Sequence, residues 1–240
     1  MAKINLSKNA LLILEHRYLI KNKRGKVIEK TKDLFRRVAK NIAQADRKYK
    51  ATKKEIKKTE EKFYDLMASL DFLPNSPTLF NAGRKLQQLA ACFVLPIEDS
   101  ISSIFKILHY TALIHKTGAG TGFNFSNLRP KGDIIGNSGF TSGPVSFMKI
   151  FDAATEQIKL GGTLRGANMG ILNVNHPDIE EFITVKSKGD VLTNFNVSVA
   201  ITDKFIDAVK KNKNYNLVNP RTNRVTKKES ARRIFMLICE

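Results

Sequence analysis

What the chain has little of narrows it first. Only two cysteines, Cys92 and Cys239, occur in 240 residues, and they stand far apart. That argues against a disulfide-stapled secreted scaffold and for a reducing, cytoplasmic setting. No apolar run approaches the roughly 20 residues that cross a bilayer, so no membrane partner is expected. The N-terminus, MAKINLSKNALL, has too short an apolar stretch for a signal peptide and no small-residue cleavage site behind it. The histidines His16, His109, His115 and His176 do not cluster with acids or cysteines at ligand spacing, so no metal site is expected. Internal repeats and low-complexity linkers are missing. Acids are scarce too: 22 against 41 basic residues, a net charge of +19. About half of the basic residues fall in the first seventy positions. Such charge suits nucleic acid, but aromatic residues do not interleave with these lysines as a stacking surface requires. The charge therefore reads as solvated helix faces, without a nucleic-acid partner. A positive field also favours polyanionic nucleotides.

What is present is ordinary globular material, 42% hydrophobic, enough for a sizeable core. Residues 1–73 read as a helical N-terminal domain. Leu11, Leu12 and Leu14 open a short apolar segment, and Gly25 marks a turn. Thr31 caps a helix with Leu34, Phe35, Val38 and Ile42 on one face. A third helix carries Ile56, Phe63, Leu66, Met67 and Leu70 opposite its lysines. Residues 74–240 then alternate strands and helices, an α/β pattern. A strand is expected over 92–97. Asp99 or Ser100 caps the next helix, with a face of Ile101, Ile104, Phe105, Leu108 and Ala112. Phe123 and Phe125 mark a strand that ends at Arg129-Pro130, and residues 131–143 a glycine-rich loop. Pro144 begins a helix with Phe147, Ile150, Phe151, Ala154 and Ile158 inward. Strands over 167–174 and 195–201 flank a helix starting at Pro177. Two helices follow, Asp203–Lys210 and 229–239.

The stretch from Asn75 to Asp99 (NSPTLFNAG, then LAACFVLPIED) organises the chain. Cys92 heads an apolar run, and Ser76-Pro77-Thr78 lies in a segment that reads as loop. From these residues alone Cys92 reads first as a buried structural cysteine, the commonest fate of a free thiol. The other reading is a site facing a hydroxyl-rich loop. Cys239 reads as core, beside Ala231, Ile234 and Phe235.

NSPTLFNAG, ACFVLPIEDSI, GAGTGFNFSNLRPKGD, GPVSFMKIFDAATEQIK, GG-RGANMGIL and HPDIEEFI together resemble the large (catalytic) subunit of ribonucleotide reductase. The adenosylcobalamin-dependent class is the nearest pattern. These motifs stand in the family's order and spacing from about Asn5 onward, which is more specific than any lone glycine-rich loop. The resemblance implies a helical N-terminal region followed by the first half of a ten-stranded α/β barrel. It implies reduction of ribonucleotides to deoxyribonucleotides by thiyl-radical chemistry, with adenosylcobalamin as radical source. A ribonucleotide substrate, ATP or deoxynucleotide effectors, a homodimer and a thioredoxin-like reductant come with it.

Residue by residue, Cys92 matches the first cysteine of the reducing pair. Ser76 matches a hydroxyl at the substrate's phosphate end, Ala91 and Cys92 the pair beside the ribose, and Gly120 a glycine where backbone approaches the ligand. Ala91 departs from the serine of many class I relatives, at the cost of one hydrogen bond. Asp99, Ser100 and Ile101 match residues that hold the effector's base and ribose, although a plain helix cap is the other reading of Asp99. Arg129 matches the arginine on its triphosphate. A second phosphate arginine of some relatives falls at Gly136, and Lys131 is the stand-in. The helices from Ser100 and Pro144 resemble those that pack against a partner's copies. Lys159, Leu160, Leu164 and Arg165 belong to the specificity loop, where relatives usually read IKQGGTRRGANMG and this chain reads IKLGGTLRGANMG. No NPCGE-like loop with the radical cysteine occurs, so the expectation is a fragment, one part of a split enzyme completed by a second polypeptide, or a pseudo-enzyme. The alternative is a non-catalytic nucleotide-binding regulator that keeps only the allosteric site.

Overall fold

The computed structural model describes residues 4–136, 139–160, 164–187 and 189–240. It divides into two compact units, Met1–Ala91 and Cys92–Glu240.

The first unit is helical. It holds α1 (Lys8–Ile13), a π-helical turn over Leu14–Tyr18, α2 (Thr31–Ala43), α3 (Lys53–Ala68) and α4 (Ser76–Asn81). Lys30, not Thr31, is the cap of α2, its amide bonded to the Asp33 carboxylate. Leu34, Phe35, Val38 and Ala39 of α2 and Tyr64, Met67 and Ala68 of α3 share one buried cluster. The segment expected as loop around Ser76 is in fact α4, started by the Asn75 side chain and Pro77. Two turns of helix are too short to leave a periodic signature. A buried carboxylate fixes its position. Glu29 accepts from Arg37 Nε at 2.7 Å and from the Ile20 amide at 3.0 Å. Arg37 also donates to the carbonyls of Ala82 and Leu79 at the far end of α4.

The second unit runs β1 (Cys92–Leu95), α5 (Ile101–Lys116), β2 (Gly120–Asn124), β3 (Ile134–Ile135), β4 (Gly139–Phe140), α6 (Pro144–Gln157), β5 (Lys159–Leu160), β6 (Leu164–Arg165), β7 (Asn168–Asn173), α7 (Ile179–Thr184), β8 (Phe195–Ala200), α8 (Asp203–Lys210), β9 (Asn214–Val218), β10 (Val225–Ser230) and α9 (Ala231–Cys239). Four strands form one parallel sheet in the order β1-β2-β7-β8. Side chains alternate across a strand, so Phe123, Leu172 and Phe195 point to one face, where they pack with Met148 and Phe151 of α6. β3–β4 and β5–β6 are tight antiparallel pairs inside stretches expected as loop.

Three expectations are corrected here. α5 buries Ile104, Ile107, Thr111 and His115, while Ile101 and Phe105 stay 62% and 48% exposed. α6 buries Val145, Met148, Phe151 and Thr155, and leaves Ile150 exposed. Both helices turn polar residues inward: Thr111 bonds the carbonyl one turn before it, while His115 and Thr155 find their partners on β2 and β7. Cys239, expected as core, is exposed in the last turn of α9, where Ala231 and Ile234 take the buried positions. The β9–β10 hairpin was not expected, since NYNLV and VTKKES carry their lysines and asparagines on an exposed outer face.

Candidate functional site

Cys92 is the first residue of β1, an edge strand, and its thiol is exposed, which removes the buried-structural reading. The register sets Cys92 against Gly120 and Val94 against Gly122. The same face continues through Asn124, Met169 and Ile171 to Asn196 and Ser198, all exposed or half-buried. The partner of Cys92 across the ladder, Gly120, has no side chain, so the backbone opposite the thiol is bare. Gly120 is held close to β7: a Cβ there would stand 3.1 Å from the Ala167 carbonyl. Such a face can admit a flat polar ligand against main chain, with a free thiol at its rim. Ala91, just before the strand, is half-buried.

Ser76 is the first residue of α4 and exposed. Its hydroxyl lies 3.0 Å from the Tyr18 phenol, and the Tyr18 ring stacks on Phe80 at 4.5 Å. Tyr18 was not singled out in the sequence. Only the fold, which brings a residue from before α2 onto α4, reveals it.

Asp99, Ser100, Ile101 and Arg129 meet around one cavity of about 280 Å³, shared with Ile104, Ile135, Thr141 and Phe147. Ser100 caps α5 through its hydroxyl, which frees Asp99 for another partner. The Asp99 carboxylate accepts from Arg129 Nε at 2.6 Å and from the Arg129 amide at 3.2 Å. Arg129 Nη1 donates to the Ile134 carbonyl at 3.2 Å. One edge of the guanidinium is therefore fixed, and its remaining donors are left for an anion. The loop bearing Ile135 and Thr141 is pinned twice at its start. Asp133 accepts from Arg221 (2.7 and 3.0 Å) and from Asn219 (2.9 Å), and the Arg221 guanidinium holds its carboxyl well below the usual carboxylate range. Asp178 accepts from the Lys131 amide at 2.9 Å. Burial nonetheless raises the Asp178 carboxyl, and lowers the imidazole of His176, which sits inside the fold with Nε2 on the Leu128 carbonyl at 2.9 Å. These contacts give the HPDIEEFI motif a structural role. The Lys131 ammonium lies 3.8 Å from Glu181.

Lys159 pairs with Arg165 and Leu160 with Leu164 through the backbone of β5–β6. The side chains of these four, and residues 161–163 between them, lie outside what the structure describes. Among the described residues no helix is long and apolar enough to cross a membrane.

Residues 4–87 match the ribonucleotide reductase all-alpha domain, and residues 90–235 the ribonucleotide reductase barrel domain. A vitamin B12-dependent ribonucleoside-diphosphate reductase of Thermoplasma acidophilum is 46% identical, over 99% of this chain and 38% of its own length. One from Mycobacterium tuberculosis is 43% identical over 99% of this chain and 34% of its length. The ribonucleoside-diphosphate reductase subunit alpha of Bacillus subtilis is 31% identical over 84% of this chain and 28% of its length. The chain thus spans well under half the length of the curated relatives it matches.

Proposed function

The chain belongs to the ribonucleotide reductase large-subunit family, and from that premise we propose that it supplies the substrate-facing thiol and the effector pocket of a reductase whose barrel other strands complete. The observation that carries this reading is the exposed Cys92 thiol opposite Gly120, on the uncovered face of a parallel sheet. Parallel sheets are normally covered on both faces, and unpaired edges at β1 and β8 invite further strands. In the proposed reaction a thiyl radical, supplied by the complementing strands, removes the ribose 3′-hydrogen. The 2′-hydroxyl leaves as water. Cys92 and a second thiol from the complement give two electrons and two protons, one proton leaving in the water and the other ending on C2′, and become a disulfide. The abstracted hydrogen returns to C3′ and regenerates the thiyl radical, and a thioredoxin-like dithiol reduces the disulfide. Ser76 would meet the substrate's phosphate end, and Ala91 and Gly120 would flank the ribose.

Adenosylcobalamin, when bound, supplies the radical. His115 and His176 keep their rings inside the fold, so they offer nothing to a corrin, and the proposal assigns it no contact in this chain.

A nucleoside triphosphate is the proposed occupant of the Asp99–Arg129 cavity. Asp99 holds the guanidinium edge-on, so its free donors face the phosphates, a charge-assisted contact. The apolar residues that α5 and α6 leave outside, Ile101, Phe105 and Ile150, suit a homodimer contact beside that cavity. Both roles are tested by mixing this chain with a polypeptide carrying the rest of the barrel and the radical cysteine, then assaying deoxyribonucleotide with and without a triphosphate effector. No product would overturn the first role. No effect of, and no binding by, the triphosphate would overturn the second.

A further inference from the structure

Four polar side chains of the second unit are almost wholly buried and lie in one line. His115 has no exposed surface, and Thr121, Asn168 and Thr155 have 4%, 2% and 3%. Polar groups so placed must pair with one another. His115 Nε2 is 2.9 Å from Thr121 Oγ1, Thr121 Oγ1 donates to Asn168 Oδ1 at 2.7 Å, Asn168 Nδ2 donates to Thr155 Oγ1 at 2.8 Å, and Thr155 Oγ1 donates to the Phe151 carbonyl at 2.7 Å. Each hydroxyl spends its one proton on the next member. With the Asn168 amide placed this way, His115 Nε2 carries the hydrogen and Nδ1 is a bare acceptor. Every donor points the same way, from α5 through β2 and β7 into α6.

The far side of the imidazole touches the backbone that enters β7. His115 Nδ1 has no partner, and a Cβ built on Gly166 would stand 2.6 Å from it and 2.9 Å from Cγ. Residue 166 has to be glycine while the ring is in place. The next carbonyl, Ala167, accepts from the Thr121 amide at 3.0 Å. Burial pushes the imidazole below its ordinary range, with the Ala167 carbonyl acting in the smaller, opposite sense, so the ring is neutral.

The same two helices bound the triphosphate cavity at their other ends. Ser100 at the cap of α5, Ile101 and Ile104 within it, and Phe147 of α6 line it, whereas His115 and Thr155 stand in the last turns. At about 1.5 Å per residue, the relay lies roughly 16 Å along α5 from Ile104 and 12 Å along α6 from Phe147.

We propose that this hydrogen-bonded chain is the joint through which α5 and α6 set the backbone at Gly166–Asn168, with His115 a positioning residue, so that a nucleoside triphosphate in the cavity is felt where the β5–β6 segment enters β7. The inference rests on the cavity reading given above. A helix moves as a rod, and a buried chain of bonds cannot be left half made. Any shift of either helix end is therefore followed by Asn168, and by the glycine packed against the ring.

Hydrogen exchange at the amides of 166–168, read in the full chain with and without dATP, dTTP or dGTP, tests this. His115→Gln keeps a donor near the Nε2 position, and His115→Leu fills the space without one. Thr155→Val breaks the far end of the chain and serves if the leucine variant does not fold. The triphosphate should change exchange at these amides by about fivefold or more in the parent and the Gln variant. In the Leu and Val variants the change should vanish while triphosphate affinity stays within about twofold, since neither residue touches the cavity. Ring nitrogen shifts should show the neutral Nε2–H tautomer. An unchanged response in both the Leu and Val variants overturns the proposal, as does its loss in the Gln variant, which would assign it to ring packing. A parent that binds triphosphate without any response at 166–168 overturns the relay alone. A parent that binds no triphosphate overturns the cavity reading and the relay with it.

Discussion

At the scale of single residues, a few polar groups are aimed by their partners or held by burial. Arg129 is aimed by Asp99 at 2.6 Å and by the Ile134 carbonyl. Arg129→Ala should weaken triphosphate binding by several-fold or more, since a charge-assisted contact contributes roughly 1.5–3 kcal/mol. Calorimetry on the parent and the variant reads it, and equal affinities would remove Arg129 from the site. His115 and His176 predict a pH dependence. Burial lowers both imidazoles below 6.5, where the unfolded chain's histidines titrate. As pH falls through that value the unfolded state takes up protons first, so stability is lost on acidification and is fully present above it. Asp178, raised by burial, acts in the opposite sense, because its protonated form is the favoured one in the fold. The denaturation midpoint of the second unit should drop between about pH 7.5 and pH 6, and less so in His115→Gln. A flat profile would contradict the burial of the two rings.

Among the elements, β1, β7, β8 and α8 were legible in the sequence, because each carries its own period or its own cap, whereas β2 ends at Asn124, before Phe125 and well short of Arg129-Pro130. Cys92 was found through the apolar run it heads. The inward faces of α5 and α6 were not legible. Hydropathy pointed to Ile101, Phe105 and Ile150, but the core takes Thr111, His115 and Thr155, whose partners come from β2 and β7, or from the backbone one turn before. Tyr18 on Ser76 and the Glu29–Arg37 clasp escaped for the same reason, since local sequence does not state which distant residue satisfies a buried group. The β5–β6 hairpin brings a prediction of its own. By the family resemblance, Leu160 and Leu164 fall where a glutamine and an arginine are expected, and leucine has no donor with which to read a base edge. Base preference in the complemented enzyme should therefore depend only weakly on the bound effector. Restoring the polar side chains with Leu160→Gln and Leu164→Arg should sharpen it. A parent that already switches its preferred base more than about tenfold between effectors, roughly 1.4 kcal/mol of coupling, would contradict this.

For the whole molecule, the helical unit and the half-covered sheet divide the labour. The first presents Ser76 on a helix braced by a buried ion pair. The second holds a thiol on an open face and a cavity between two helix ends. The proposed reaction draws its hydrogen-abstracting radical from the complementing strands. The chain alone should thus reduce no ribonucleotide, with adenosylcobalamin and dithiol present, and any turnover above a boiled control free of host reductase would count against that. The most direct measurement is deoxyribonucleotide formation by this chain combined with the remaining barrel strands of a B12-dependent relative, comparing the parent with Cys92→Ser. The account predicts repeated turnover with Cys92 and none above the complement alone with serine. Equal turnover by the two would show that the Cys92 thiol is not the reductant, and the central claim would be wrong.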